Sequence, residues 1–168
     1  SGTVKYSNGR YSVVKADYSI AHLLTKDKVK GSKLALGHSR LITGGQVDNQ
    51  PVVKNGIIVL HNGIIVNHKK LWNEISPERE LEVDSEIIAG LTEQYLNDNL
   101  SFDGLSQFIL EKCEGVVACA IAIPEKGKLI IFSNNGSLYF GSKNKQLIFS
   151  SESFPLESIK CNEIKQIT

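Results

Sequence analysis

A chain of 168 residues with 41% hydrophobic and 22% charged content has the size and balance of one ordinary soluble domain. Its 19 basic and 18 acidic residues leave no basic stripe, and the longest basic run is only His68-Lys69-Lys70, so neither a nucleic acid nor a membrane is an expected partner. The apolar runs are too short to span a bilayer, the N-terminus lacks the order of a signal peptide, and three cysteines without a CxxC pair predict reduced, buried thiols in a cytoplasmic protein.

The chain contains no methionine and enters strand-like residues at once, at Ser1-Gly2-Thr3-Val4, as if joined midway. Asn8-Gly9 predicts a hairpin turn into the strand Tyr11-Ser12-Val13-Val14. A short helix is expected from about Ser19, then a strand over Leu34-Ala35-Leu36-Gly37. Asn55-Gly56 predicts a second hairpin, joining Pro51-Val52-Val53 to the apolar run Ile57-Ile58-Val59-Leu60. From Asp84 the period changes: Ile87, Ile88, Leu91 and Tyr95 recur at helical spacing, with Asp84 and Ser85 available as caps, which predicts a helix from about Ser85 to Asn97. Leu105, Phe108, Ile109 and Lys112 predict a second helix from about Ser101 to Cys113, packed beside the first. Four β-type runs follow, Val116 to Ile123, Leu129 to Phe132, Leu138 to Phe140 and Leu147 to Phe149. Turns at Lys126-Gly127, Asn135-Gly136 and Ser142-Lys143 make them read as one antiparallel meander. No linker or repeat interrupts the pattern, so sheets covered by helices in one unit are expected.

Four short segments stand out as chemistry: Gly37-His38-Ser39-Arg40, Thr43-Gly44-Gly45, His61-Asn62-Gly63 and Asp84-Ser85-Glu86. Arg40 could grip a carboxylate with its planar fork, or stand as an ordinary surface ion pair. Asn62 and Gly63 could aim a side-chain amide and a backbone N–H at a developing oxyanion, or form a plain Asn-Gly turn after the strand. Asp84 could hold an ammonium group or simply cap a helix. His38 and His61 have no second ligand at metal spacing, and there is no P-loop, GxSxG elbow or GxGxxG. No metal or other cofactor is expected.

In order, Gly37-His38-Ser39-Arg40, Thr43-Gly44-Gly45, Leu60-His61-Asn62-Gly63-Ile64-Ile65-Val66-Asn67-His68 and Asp84-Ser85-Glu86-Ile87-Ile88 resemble the glutaminase domain of class II amidotransferases, enzymes with an N-terminal nucleophile. The run from Gly115 to Ser151 resembles that family's closing strands, so the likeness covers essentially the whole chain. The resemblance implies an α+β fold, a four-layer αββα sandwich of antiparallel sheets, with residues 1–168 forming one domain. It also implies a chemistry in which an N-terminal cysteine attacks the side-chain amide of glutamine, with its own α-amine as base. By the same likeness Arg40 would hold the α-carboxylate, Asp84 the α-ammonium, Asn62 and Gly63 the oxyanion, and Thr43 would line the pocket.

Leu41 stands where the synthase branch has an aromatic residue, and Gly44 where it has a histidine. No cysteine precedes Cys113. The family's Cys-Gly start lies well ahead of the point matched by Ser1-Gly2, so its first strand and helix are expected on a segment cleaved from this chain or outside this sequence. Glutamine, a synthase domain or subunit receiving ammonia, and such a cleaved N-terminal peptide are the expected partners. The HNGII-N-H block resembles the sugar-phosphate branch more than the asparagine synthetase branch, which implies transfer of the ammonia to a sugar phosphate. Two alternatives stay open: Ser1 as the nucleophile, and a non-catalytic glutamine-binding or docking subunit of the same fold.

Overall fold

The computed structural model describes residues 1–39, 50–98 and 101–168. Two hairpins close as their sequences require. Strands β1 (Gly2–Ser7) and β2 (Arg10–Lys15) are joined by Asn8 and Gly9 with φ of 52° and 76°. Strands β4 (Val52–Lys54) and β5 (Ile57–Ile65) are joined by Asn55 and Gly56 with φ of 47° and 79°. Two successive left-handed residues make the tight turn whose twist suits antiparallel strands. Helix α1 (Ile20–Lys26) starts at Ser19, whose hydroxyl accepts the His22 N–H, and β3 (Leu34–His38) returns to pair with β1.

The central layer is a four-stranded antiparallel sheet in the order β4, β5, β6 (Gly115–Ile123), β7 (Lys128–Ser133). Alternation along β5 and β6 divides its two faces, as a period of two demands. Ile57, Val59, Val117, Cys119 and Ile121 meet helices α3 (Glu86–Asn97) and α4 (Leu105–Lys112) in the main core. These helices are neighbours, with the Tyr95 and Phe108 rings 5.1 Å apart. Ile58, Leu60, Ala120 and Ala122 face the other way, against Val4 and Leu36. The small alanines on β6 let a second layer approach closely.

That second layer consists of two three-stranded antiparallel sheets, β2-β1-β3 and β10-β8-β9, the latter built from β8 (Tyr139–Lys143), β9 (Gln146–Ser150) and β10 (Asn162–Gln166). Helix α1 packs on β1, and α5 (Ser153–Ser158) packs on the β8–β10 sheet. The layers therefore run helices, sheet, sheets, helices. Thr3 and Lys5, on the face of β1 opposite Val4, both hydrogen-bond Asp27 at the end of α1, fixing that outer helix in place. No described helix is long and apolar enough to cross a membrane.

Several expectations need correction. The four closing strands are not one meander: β7 ends in the central sheet, and residues 134–138 carry the chain across to β8 in the other layer. Asn134 supports that crossing, its side chain bonded to Val117 N–H and Gly115 C=O. The turn between β8 and β9 lies at Asn144 and Lys145, both at positive φ, so β8 runs through the predicted turn at Ser142-Lys143. Strand β10 and the short helices α2 (His68–Trp72) and α5 have no counterpart in the sequence reading. The helix predicted from Ser101 begins as a 3-10 turn over Phe102–Gly104.

Candidate functional site

Strand β5 does not stop at Leu60. It runs through Ile65, and Asn62 and Gly63 pair with Ala118 and Val117 of β6. The plain-turn alternative for Asn62-Gly63 is thereby overturned, because both residues lie inside a strand in register with β6. Gly63 sits at φ +150°, and a Cβ built there would lie 1.9 Å from the Val116 carbonyl oxygen. Only glycine admits that approach.

Asn62 and Gly63 are exposed into a cavity of about 710 Å³, whose lining also includes Asp84, Ser85, Gln50 and His61. The cavity lies where the end of β5 meets the start of α3. Asp84 is not a helix cap here: its Oδ2 accepts the Ile65 N–H at 2.8 Å, and Ser85 makes no capping hydrogen bond. The carboxylate is thus tied to β5, two residues beyond Gly63, while among the described residues its Oδ1 meets only the Ser85 hydroxyl, at 3.4 Å. Arg40 and Thr43, with Leu41 and Gly44, lie outside the described residues.

A buried polar network underlies the cavity. The Gln50 side-chain amide imitates a neighbouring strand: its Oε1 accepts the His61 N–H at 2.5 Å and its Nε2 donates to the His61 carbonyl at 2.7 Å. The same Nε2 donates to Ser85 Oγ at 3.2 Å. The His61 ring, 2% exposed, reaches the Val116 carbonyl with Nε2 at 3.1 Å and Ser85 Oγ with Nδ1 at 3.0 Å. Burial pushes its pKa down, only partly offset by the Val116 hydrogen bond and the Asp84 charge. A carbonyl can only accept, so the proton of the neutral ring is on Nε2 and Nδ1 accepts from Ser85.

With both nitrogens engaged, His61 has no lone pair free for a metal. Nor is Ser85 with His61 a hydrolytic dyad. Ser85 is 1% exposed, and the far ring nitrogen meets a carbonyl where a triad needs a carboxylate. Ser1 donates its hydroxyl to the Tyr18 carbonyl, and among the described residues it is not one that lines the cavity. Cys113 and Cys119 are buried in the core beneath the helices, with burial pushing the first thiol up to about 12 and the second well above its ordinary value. Burial thus disfavours the thiolate form of both.

A second cavity, of about 550 Å³, shares His38, Ser39, His61 and Asn62 with the first. Gly37 and His38 of β3 line it on one side, Phe149 and Ser150 of β9 on the other, and Leu60, Ala118 and Ala120 form part of its apolar lining. Among the described residues β3 pairs only with β1 and β9 only with β8, so two open sheet edges flank this slot.

Sequence reasoning placed Asn62, Gly63 and Asp84 at the site and missed Gln50 and Ser85 as its support. The odd-numbered register of β5, which puts His61 on the same face as Ile57 and Val59, was the available signal for a buried, helix-facing histidine.

The sequence pattern of the family described as glutamine amidotransferase domain matches residues 38–158. Among curated proteins, the chain is similar to glutamine–fructose-6-phosphate aminotransferase (isomerizing) of Bartonella quintana (strain Toulouse), 30% identical over 168 residues, covering 94% of this chain and 28% of that protein. The same enzyme of Campylobacter jejuni subsp. jejuni is 28% identical, covering 87% of this chain and 25% of that protein. The chain thus spans less than a third of these relatives' length. Among solved structures, glutamine phosphoribosylpyrophosphate amidotransferase from B. subtilis superposes with a TM-score of 0.80 at 20% identity, covering 98% of this chain and 38% of that one.

Proposed function

This chain belongs to the glutamine amidotransferase domain family, and from that premise we propose that residues 1–168 form one such domain, which hydrolyses L-glutamine to glutamate and ammonia. The observation that carries the reading is the convergence of Asn62, Gly63 and Asp84 on one cavity, with Asp84 tied to β5 by the Ile65 N–H. A zwitterionic amino acid needs one fixed anion, one fixed cation and donors at its amide. In this reading Asp84 supplies the first to the α-ammonium, Arg40 the second to the α-carboxylate, and Asn62 with the Gly63 N–H the third, while the family resemblance assigns Thr43 to the substrate pocket.

The nucleophile is an N-terminal cysteine carried on a strand laid into the slot between β3 and β9. Two open edges and the apolar residues Leu60, Ala118, Leu138 and Phe149 in its lining support that placement, and Asn62 also lines the slot. There the cysteine's α-amine takes the thiol proton and the sulfur attacks the amide carbon, placing negative charge on the oxygen held by Asn62 and Gly63. The C–N bond then breaks, the nitrogen leaves as ammonia with that proton, and water hydrolyses the thioester to glutamate. The ammonia passes to a synthase domain or subunit acting on a sugar phosphate, a choice supported by the names of the curated relatives. The setting is cytoplasmic, in keeping with three free cysteines.

The test is glutamate release from L-glutamine by the full-length natural protein. Asn62→Ala is expected to lower kcat about a hundredfold with KM little changed, as for loss of one oxyanion donor. A wild-type protein inert toward glutamine, or equal losses in kcat and 1/KM, would sink the assignment.

A further inference from the structure

Resting on this glutamine-site reading, we infer that His61, held as the Nε2–H tautomer, is a positioning residue whose two nitrogens serve two different parts of the site. Nε2–H holds the Val116 carbonyl, the same oxygen that would lie 1.9 Å from a Cβ at Gly63. The ring itself lies close by, its Nε2 2.9 Å from that Cβ position. The path of β5 at Gly63, and so the aim of its N–H, is set by where that carbonyl is held. Nδ1 accepts from Ser85, the first neighbour of Asp84 at the head of α3. Because the single hydroxyl proton of Ser85 is directed to Nδ1 at 3.0 Å rather than to the more distant Asp84 Oδ1 at 3.4 Å, Oδ1 keeps its capacity for a substrate ammonium.

The remaining groups of the network support this division. Gln50 fixes the His61 backbone through both N–H and C=O and donates to Ser85, so the hydroxyl has its acceptor role filled and its proton directed to the ring. Asp84 Oδ2 is occupied by the Ile65 N–H, which leaves Oδ1 as the oxygen that the Ser85 proton would otherwise engage. One imidazole thus couples the oxyanion side to the ammonium side across β5.

The two nitrogens can be separated by substitution. In His61→Asn the side-chain amide ends near the position of Nδ1, keeping an acceptor for Ser85 while abandoning Val116. In His61→Gln it reaches toward the position of Nε2, keeping a donor for Val116 while abandoning Ser85. In the full-length protein with L-glutamine, His61→Asn is expected to lower kcat about tenfold with KM within about threefold, and His61→Gln to raise KM about tenfold with kcat within about threefold. Ser85→Ala should reproduce the Gln variant. Parallel loss of both parameters in both His61 variants, or no loss in either, overturns the inference, since a merely structural histidine would not split them.

Nitrogen-15 NMR of the wild-type ring provides a readout independent of activity. A neutral Nε2–H tautomer is expected between about pH 6 and 8, and an Nδ1–H tautomer overturns the inference. If the wild-type protein proved inert toward glutamine, the functional reading would fail while the ring measurement still decided the state of His61.

Discussion

Replacing Gly63 by alanine tests the geometry of the site most directly. The new methyl would lie 1.9 Å from the Val116 oxygen, 2.7 Å from its carbon and 2.9 Å from His61 Nε2, at a backbone φ of +150°. Two of those three neighbours are backbone in a paired strand, so relief requires β5 and β6 to part. A strained φ costs about 1–3 kcal/mol and an overpacked contact about as much again, which gives about 3–4 kcal/mol in all. At about 2–4 °C per kcal/mol for a domain of this size, Tm should fall by roughly 10 °C. Gly127 is the control, since it has a φ of +60° but no atom within 4 Å of an added Cβ. Gly127→Ala should carry only the left-handed penalty, about 1–2 kcal/mol. Urea unfolding of both variants measures the difference, and a Gly63→Ala protein no less stable than Gly127→Ala would refute the close approach of Val116.

Arg40→Lys should weaken glutamine capture more than tenfold by calorimetric titration, because a point charge does not replace a bidentate fork, and unchanged affinity would remove Arg40 from the site. Asp27 should govern part of the acid stability. The hydrogen bond from Lys5 holds its pKa below the ordinary carboxylate value, against opposing desolvation and with further help from Thr3. A carboxylate lowered on folding adds stability above its unfolded pKa and loses it as pH falls through the folded one. Stability should therefore drop below about pH 4, and Asp27→Asn should flatten that limb in pH-dependent urea melts. Lys54, 4% exposed, bridges Glu80 and the buried Glu86. Lys54→Ala should cost about 3 kcal/mol by removing the buried cation beside Glu86, whose carboxylate would keep the Glu80 and Leu81 N–H hydrogen bonds, whereas Glu80→Gln, at an exposed partner, should cost under about 1 kcal/mol in the same unfolding assay.

The local elements were legible where a residue's own chemistry decided its conformation. Asn8-Gly9 and Asn55-Gly56 made the turns they announced, and the 3.6-residue recurrence of Ile87, Ile88, Leu91 and Tyr95 became the buried face of α3. What failed was decided at a distance. Nothing in Asn62-Gly63 itself says strand; the pairing with Ala118 and Val117 does. Likewise Asn135-Gly136 looks like a hairpin turn, yet Asn134 bonded to Val117 and Gly115 sends the chain to another layer. Asp84 illustrates both levels: its place at the head of a helix was readable, while its commitment to the Ile65 N–H depended on how close β5 would pass.

The period of two along β5 also explains why this site needs so few residues. His61 and Gly63 lie on the helix-facing side with Ile57 and Val59, whereas Asn62 follows Ile58 and Leu60 toward the slot between β3 and β9. Three consecutive residues therefore serve three separate needs: attachment to the buried network, a donor on the slot side, and a backbone bared by the lack of a Cβ. A one-residue slip in register would turn Asn62 into the helical core and His61 into the slot, burying an amide without Gln50 or Ser85 to meet it. The register that places the hydrophobic core and the register that builds the site are thus the same, so a substitution that shifts either one must damage both.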